Sequence, residues 1–203
     1  MHDRPPAEGP SQTVKAFKPT AQDLADAPRR RLRDIIAPNL RVLFVGINPG
    51  LYTAAIRRHF GRPGNRFWPA LYAGGFTPRL LSPFENTTLL QLGYGISNLV
   101  ARPTLRADEL SRQELIAGAR RLERKVAVYR PRIVAFLGVT SYRLAFNRPH
   151  AAVGYQPEHR LGASRVWLLP NPSGLNAHFV PGRLAEVFAE LRRAAQRDPV
   201  TKW

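Results

Sequence analysis

The chain contains no cysteine. That one absence removes disulfides, thiol nucleophiles, thiolate zinc sites and iron–sulfur clusters. Acids are scarce too: 14 Asp and Glu stand against 31 Lys and Arg, a net charge of +17 over 203 residues. No apolar run approaches the ~20 residues that a membrane span requires. The Met1–Pro10 start is polar and Pro-rich, with no apolar core for a signal peptide. No two of His2, His59, His150, His159 and His178 stand three or four apart on an expected helix, so no metal site is expected. Neither a GxGxxG dinucleotide fingerprint nor a GxxxxGK[ST] phosphate loop occurs. Ser173 lacks the G-x-S-x-G elbow of an activated serine. From these exclusions a soluble intracellular protein is expected, with no membrane and no metal.

What is present is basic charge on a foldable chain. A chain that is 44% apolar supports one globular domain. Most of its cations are Arg, the better fork for phosphate. A domain this basic is expected to meet a polyanion, and nucleic acid is the commonest one. Residues 1–34 read as a basic, partly disordered arm with a short helix interrupted by Pro28, and 198–203 as a tail. Between them lies one domain, 35–197.

Within it, "RVLFVG" (41–46), "RIVAFLG" (132–138) and "SRVWLLP" (164–170) read as buried strands, with "YGISNLV" a shorter one. Helices are expected at 65–75, in "PFENTTLLQLG", at 111–130, in "TSYRLAFN" and at 181–197. Ser111 and Glu114 give the third a capping-box start. Continuous apolar strands alternating with amphipathic helices argue for an α/β fold with a parallel sheet covered on both faces. Ligands then bind beyond the carboxyl ends of the strands, at "GINPG", "GVTS" and "NPSGLNAH".

No acid falls in "GINPG", "GRPGNRFW" or "NPSGLN", so no carboxylate base is evident there. The polar groups are Asn48, Asn65, Ser97, Asn98, Asn171, Ser173 and Asn176, with backbone N–H groups exposed by glycines. Such a set orients a water and stabilises developing negative charge, one well-aimed donor contributing roughly 3–4 kcal/mol. Taken singly, each has a plainer reading. Asn48 suits an Asn-Pro-Gly turn. Arg57, Arg58, Arg62 and Arg66 suit a solvated surface as well as a phosphate. Phe67 and Trp68 suit a core.

Three ordered motifs change that balance. "GINPG" (46–50), "GNRFW" (64–68) and "LPNPSGLN" (169–176) resemble those of the mismatch-specific uracil-DNA glycosylases. This family groups a bacterial G·U/G·T mismatch enzyme with eukaryotic thymine-DNA glycosylase, and belongs to the uracil-DNA glycosylase superfamily. The resemblance runs from about residue 35 to 195, with "LVARPT" and "ELSRQELIAG" also in step.

The resemblance implies a three-layer α/β/α sandwich with a short, mostly parallel central sheet. It implies a monomeric, monofunctional DNA glycosylase of base excision repair with no cofactor and no metal, acting in the cytoplasm at the nucleoid. Its partner would be double-stranded DNA carrying a G·U or G·T mismatch. By the family pattern Asn48 holds the attacking water. Ile47, Phe60, Asn98 and Asn171 form the pocket for the extruded base. Ser173, Gly174, Leu175 and Asn176 form the wedge that fills the vacated stack and reads guanine. Two departures stand out: Ala177 where an Arg commonly follows the wedge, and the bulky Leu51, Tyr52 and Thr53 after "GINPG". The alternatives are a broader uracil-DNA glycosylase acting on A·U pairs or single strands, and a non-catalytic sensor of distorted DNA.

Overall fold

Val42–Gly46 (β1) is buried at all five positions, so it needs cover on both sides. A computed structural model describes residues 18–174 and 180–197 and shows how that cover is built. β1 lies between Tyr94–Asn98 (β2) and Ile133–Leu137 (β3) in a five-stranded sheet. Gly154–Leu161 (β4) and Ser164–Leu169 (β5) complete the order β2-β1-β3-β5-β4. The first four strands in that order pair in parallel, and β4 closes the edge antiparallel. The helices are Ala21–Asp26 (α1), Leu51–Ile56 (α2), Phe67–Ala73 (α3), Thr88–Gln91 (α4), Arg112–Tyr129 (α5), Val139–Phe146 (α6) and Pro181–Gln196 (α7).

Alternation along the strands divides the core into two layers. Val42, Phe44, Ile96, Ile133 and Ala135 face α3 and α7, where Phe67, Leu71 and Phe188 meet them. Leu43, Val45, Val134, Phe136 and Val166 face α5 and α6, meeting Leu115, Leu122 and Tyr142. This is the expected mixed α/β architecture, with a mostly parallel sheet between two helical layers. Phe67 and Trp68 are core residues, as their helical spacing suggested.

Three elements depart from the sequence reading. β4, "GYQPEHRL", carries Pro157 and little apolar alternation, so it shows no strand pattern. Proline is tolerated there because β4 is an edge strand whose register slips between Gln156 and Arg160. α2 occupies residues that look like a continuation of the Asn-Pro-Gly turn. The helix expected in "PFENTTLLQLG" splits into a 3₁₀ turn at Pro83–Glu85 and the four-residue α4.

Residues 1–17 of the expected arm lie outside the described residues; 18–34 pack on the domain. Thr20 and Asp23 cap α1 reciprocally. Arg30 donates to the Ala55 carbonyl at 2.7 Å. Ile35 exchanges both backbone hydrogen bonds with Ile96, at 2.8 and 2.7 Å. Asp34 accepts from the Ser97 hydroxyl at 2.9 Å and pairs with Lys125. The buried His59 ring meets the Arg33 carbonyl at 2.9 Å.

Two predictions follow from this packing. A Cβ at Gly118 would stand 2.4 Å from the Leu99 carbonyl oxygen, on the backbone that follows β2. Alanine is the better helix former by ~1 kcal/mol, yet Gly118→Ala forces α5 off that segment. Urea unfolding should show a net loss of about 1–3 kcal/mol; a gain would mean the helix has slack. The second concerns pH. Burial pushes the His59 imidazole below its ordinary value, with the Arg33 carbonyl and Asp34 opposing and Lys125 adding to the fall. The unfolded chain therefore binds more protons than the native one as pH drops through about 6.5, and stability falls in that direction. Unfolding at about pH 7.5 and about pH 5.5 should show the lower stability at the acid value. Equal stability would contradict a neutral, buried His59.

Candidate active site

The parallel strands end together, and the loops that leave them enclose an open cavity of about 750 Å³. Gly46 at the end of β1 is paired with Asn98 at the end of β2. A Cβ on Gly46 would stand 2.7 Å from Asn98 Oδ1 and 3.2 Å from Phe60 Cζ. Glycine there is what lets the Asn98 amide and the Phe60 ring approach each other. Phe60 adopts φ 53°, a left-handed conformation costing a non-glycine residue roughly 1–2 kcal/mol. Its ring stacks on Phe67 at 4.0 Å, which offsets part of that cost and leaves Phe60 lining the cavity.

Asn48 is held by two hydrogen bonds. Its Nδ2 donates to the Arg102 carbonyl at 2.9 Å and to Thr104 Oγ1 at 2.7 Å. The Thr104 hydroxyl in turn donates to the Arg106 carbonyl at 2.7 Å. This second bond settles the amide's orientation: the Thr104 proton is spent on Arg106, so its oxygen accepts from an N–H. Both Asn48 N–H groups are thus used, and Oδ1 has no partner among the described residues. A fixed amide oxygen in a cavity can accept a hydrogen bond from a water and aim that water's lone pair outward.

The segment that grips Asn48 is itself pinned. Thr104 N donates to the Pro49 carbonyl and Leu51 N to the Thr104 carbonyl, each at 3.1 Å. Arg102 forks onto Glu114 at the start of α5, at 2.7 and 3.1 Å. That guanidinium, with the Ser111 N–H, holds the Glu114 carboxyl at about 2.

The other two motifs meet across the cavity. Arg66 N donates to the Pro172 carbonyl, and Arg66 Nη2 to the Ser173 carbonyl, both at 2.9 Å. A Cβ on Gly174 would lie 2.6 Å from the Gly64 carbonyl, so only glycine fits. Asn171 Oδ1 accepts from Ser173 N at 3.0 Å, and Asn65 Oδ1 from Phe67 N at 2.9 Å.

Of the residues singled out in the sequence, Ile47, Asn48, Phe60, Asn98, Asn171 and Ser173 all line this cavity, and Asn65 does as well. Gly174 stands beside it against Gly64. Leu175 and Asn176, with Ala177 and His178, lie outside the described residues. Ser97 does not belong: strand alternation buries it on the far face with Asp34 and Lys125. Among the four loop arginines, Arg62 lines the cavity, Arg66 clamps the 172–173 backbone, and Arg58 lies over the Phe84 ring at 5.4 Å.

Sequence reasoning missed the 104–108 segment. Thr104, Arg106 and Asp108 line the cavity although they follow β2 by several residues, away from any strand end. Asp108 is therefore a carboxylate at the cavity, where the strand-end loops have none. Arg106 engages it at 2.8 Å and lowers its pKa, which keeps it ionised. The only advance signal was "LVARPT", in step with the family motifs without an assigned role. Among the described residues no cluster of three His, Asp or Glu could hold a metal, and no helix is long and apolar enough to cross a membrane.

Comparison with known proteins agrees with this architecture. A solution NMR structure of a Methanosarcina acetivorans protein, studied as a candidate uracil DNA glycosylase, superposes with a TM-score of 0.54 at 18% identity. The match covers 81% of this chain and 96% of that one, which shows a shared fold. Residues 33–192 match the profile of the uracil DNA glycosylase superfamily. That match spans both sides of the cavity, from Asn48 to Asn171, and the chain belongs to the uracil DNA glycosylase superfamily.

Proposed function

We propose that this protein is a monofunctional DNA glycosylase that removes uracil mispaired with guanine and leaves an abasic site. The observation that carries the reading is the Asn48 amide, with both N–H groups fixed by Arg102 and Thr104 and its oxygen left in the cavity. An amide cannot take a proton, so Asn48 positions water rather than deprotonating it. That suits a bond that breaks largely by itself.

The target base must first leave the duplex, at a cost of a few kcal/mol that a mismatch reduces. Leu175 fills the gap, and Ser173, Gly174 and Asn176 meet the widowed guanine. The extruded pyrimidine stacks on Phe60, with Asn98, Asn171 and the Ile47 backbone at its polar edge. As the C1′–N1 bond stretches, its electron pair leaves with the base and the sugar becomes cationic. Water held by Asn48 Oδ1 adds to C1′ and then loses its proton to solvent. The bulk of Thr53, which lines the cavity, favours uracil over thymine with its 5-methyl group.

Single-turnover cleavage of one labelled duplex tests this, with G·U, G·T, A·U or G·C at its centre and single-stranded uracil alongside. Cleavage is expected at G·U, more slowly at G·T, and not at G·C. Asn48→Ala should slow G·U cleavage by about 10²–10³ while duplex binding holds. Uracil release from every substrate would keep the chemistry and remove the guanine reading. An Asn48→Ala protein as fast as the parent would overturn the site.

A further inference from the structure

The segment that anchors Asn48 also carries a residue the mechanism has not used. Leu105, next to Thr104, lines the cavity and yet is 67% exposed. Among the described residues it is the one large apolar side chain at the cavity that stands mostly in water. Ile47, Phe60 and Val139 are half-buried there, and Leu137 is buried. Exposed apolar residues are ordinary on helix surfaces, as at Leu24 on α1, Val128 on α5 and Leu144 on α6. Leu105 differs in standing at the rim of the site on a backbone held from both sides.

Before it, Thr104 is bonded through its N–H and its carbonyl to residues 49 and 51, and its hydroxyl reaches across to the Arg106 carbonyl. After it, Arg106 N donates to Glu109 Oε1 at 2.7 Å, and the Arg106 guanidinium forks onto Asp108 at 2.8 and 3.2 Å. A bonded turn thus presents the leucine, and little backbone freedom is left to lose when it meets a ligand. The sheet order gives its place. Thr104 pairs with Gly50, beyond β1, whereas Asn171 and Ser173 follow β5. Only β3 lies between β1 and β5. At about 4.8 Å per strand, the strand ends carrying the two rims are about 10 Å apart, a spacing that admits one extruded nucleotide.

We propose that Leu105 is a second apolar wedge, packing on the nucleotide next to the target in the target's own strand and keeping it from closing the gap. The inference rests on the glycosylase reading, which puts the target's C1′ beside the water on Asn48. Thr104 grips Asn48, so the residue after Thr104 meets the strand that carries the target. The opposite rim, through Ser173 and Gly174, serves the vacated stack and its guanine. An aliphatic side chain suits the first task, because it displaces a stacked base without needing a hydrogen-bond partner. The contact also takes exposed apolar surface out of water.

The test compares Leu105→Ala and Leu105→Met with the parent in single-turnover cleavage at saturating protein. On a G·U duplex the alanine variant should be about tenfold slower, since it must open the stack with less help. The methionine variant, of similar volume, should stay close to the parent. On uracil placed in a bubble of unpaired bases, which needs no opening, parent and alanine variant should cleave alike. A second readout is 2-aminopurine beside the uracil, in a duplex whose target sugar carries a 2′-fluorine that blocks cleavage. Its fluorescence should rise when the parent or the methionine variant binds, and much less with the alanine variant. An alanine variant as fast as the parent on G·U overturns the proposal, as does an equal fluorescence rise. Equal slowing on the G·U duplex and the bubble overturns it too, because Leu105 would then act through Thr104 and Asn48. If the glycosylase reading alone fails, no uracil is released, but the fluorescence rise and its loss in the alanine variant remain.

Discussion

The pair of hydrogen bonds on the Asn48 amide is the constraint around which the site is arranged. An amide rotates by half a turn at little cost in water, and its two ends then exchange roles. Here it cannot, because Thr104 has committed its proton to the Arg106 carbonyl and Arg102 offers a second carbonyl. A hydrogen bond of this kind contributes only about 1 kcal/mol to stability. Its larger consequence is chemical: it decides that an acceptor, and not a donor, looks into the cavity.

The rest of the fold transmits order to that amide. The sheet fixes Gly46 beside Asn98, so β1 and β2 deliver two amides to one place. The capping box of α5 supplies Glu114, whose fork with Arg102 steadies the carbonyl that Asn48 uses. On the other side, Arg66 and the Gly64–Gly174 contact draw "GNRFW" and "NPSG" together. Phe67 belongs to both the core and the site, since its ring is fully buried and supports Phe60. A core mutation at Phe67 would thus be felt at the base pocket.

Much of this was legible in the sequence, for physical reasons. β1 and β3 are buried at every position and read as unbroken apolar runs, β5 shows itself by the apolar stretch Val166–Leu169, and α5 announces itself through Ser111 and Glu114. Asn48, Asn98 and Asn171 stand where strands end, which is where an α/β sheet places its chemistry. β4 was illegible because an edge strand with a proline and one polar side carries little alternation. Thr104 was illegible because its role comes from a contact 56 residues away in the chain. Ser97 shows the opposite error: it sits next to Asn98, but a strand sends neighbours to opposite faces.

A double-mutant cycle on the single-turnover cleavage rate of a G·U duplex addresses the central claim most directly, with Asn48→Ala, Thr104→Val and the pair together. If Thr104 acts by orienting Asn48, Thr104→Val alone should slow cleavage about tenfold, equivalent to about 1.4 kcal/mol. In the Asn48→Ala background it should cost almost nothing, because there is no amide left to orient. Equal losses in both backgrounds would contradict the account, and would make Thr104 a contributor in its own right rather than the anchor of the amide.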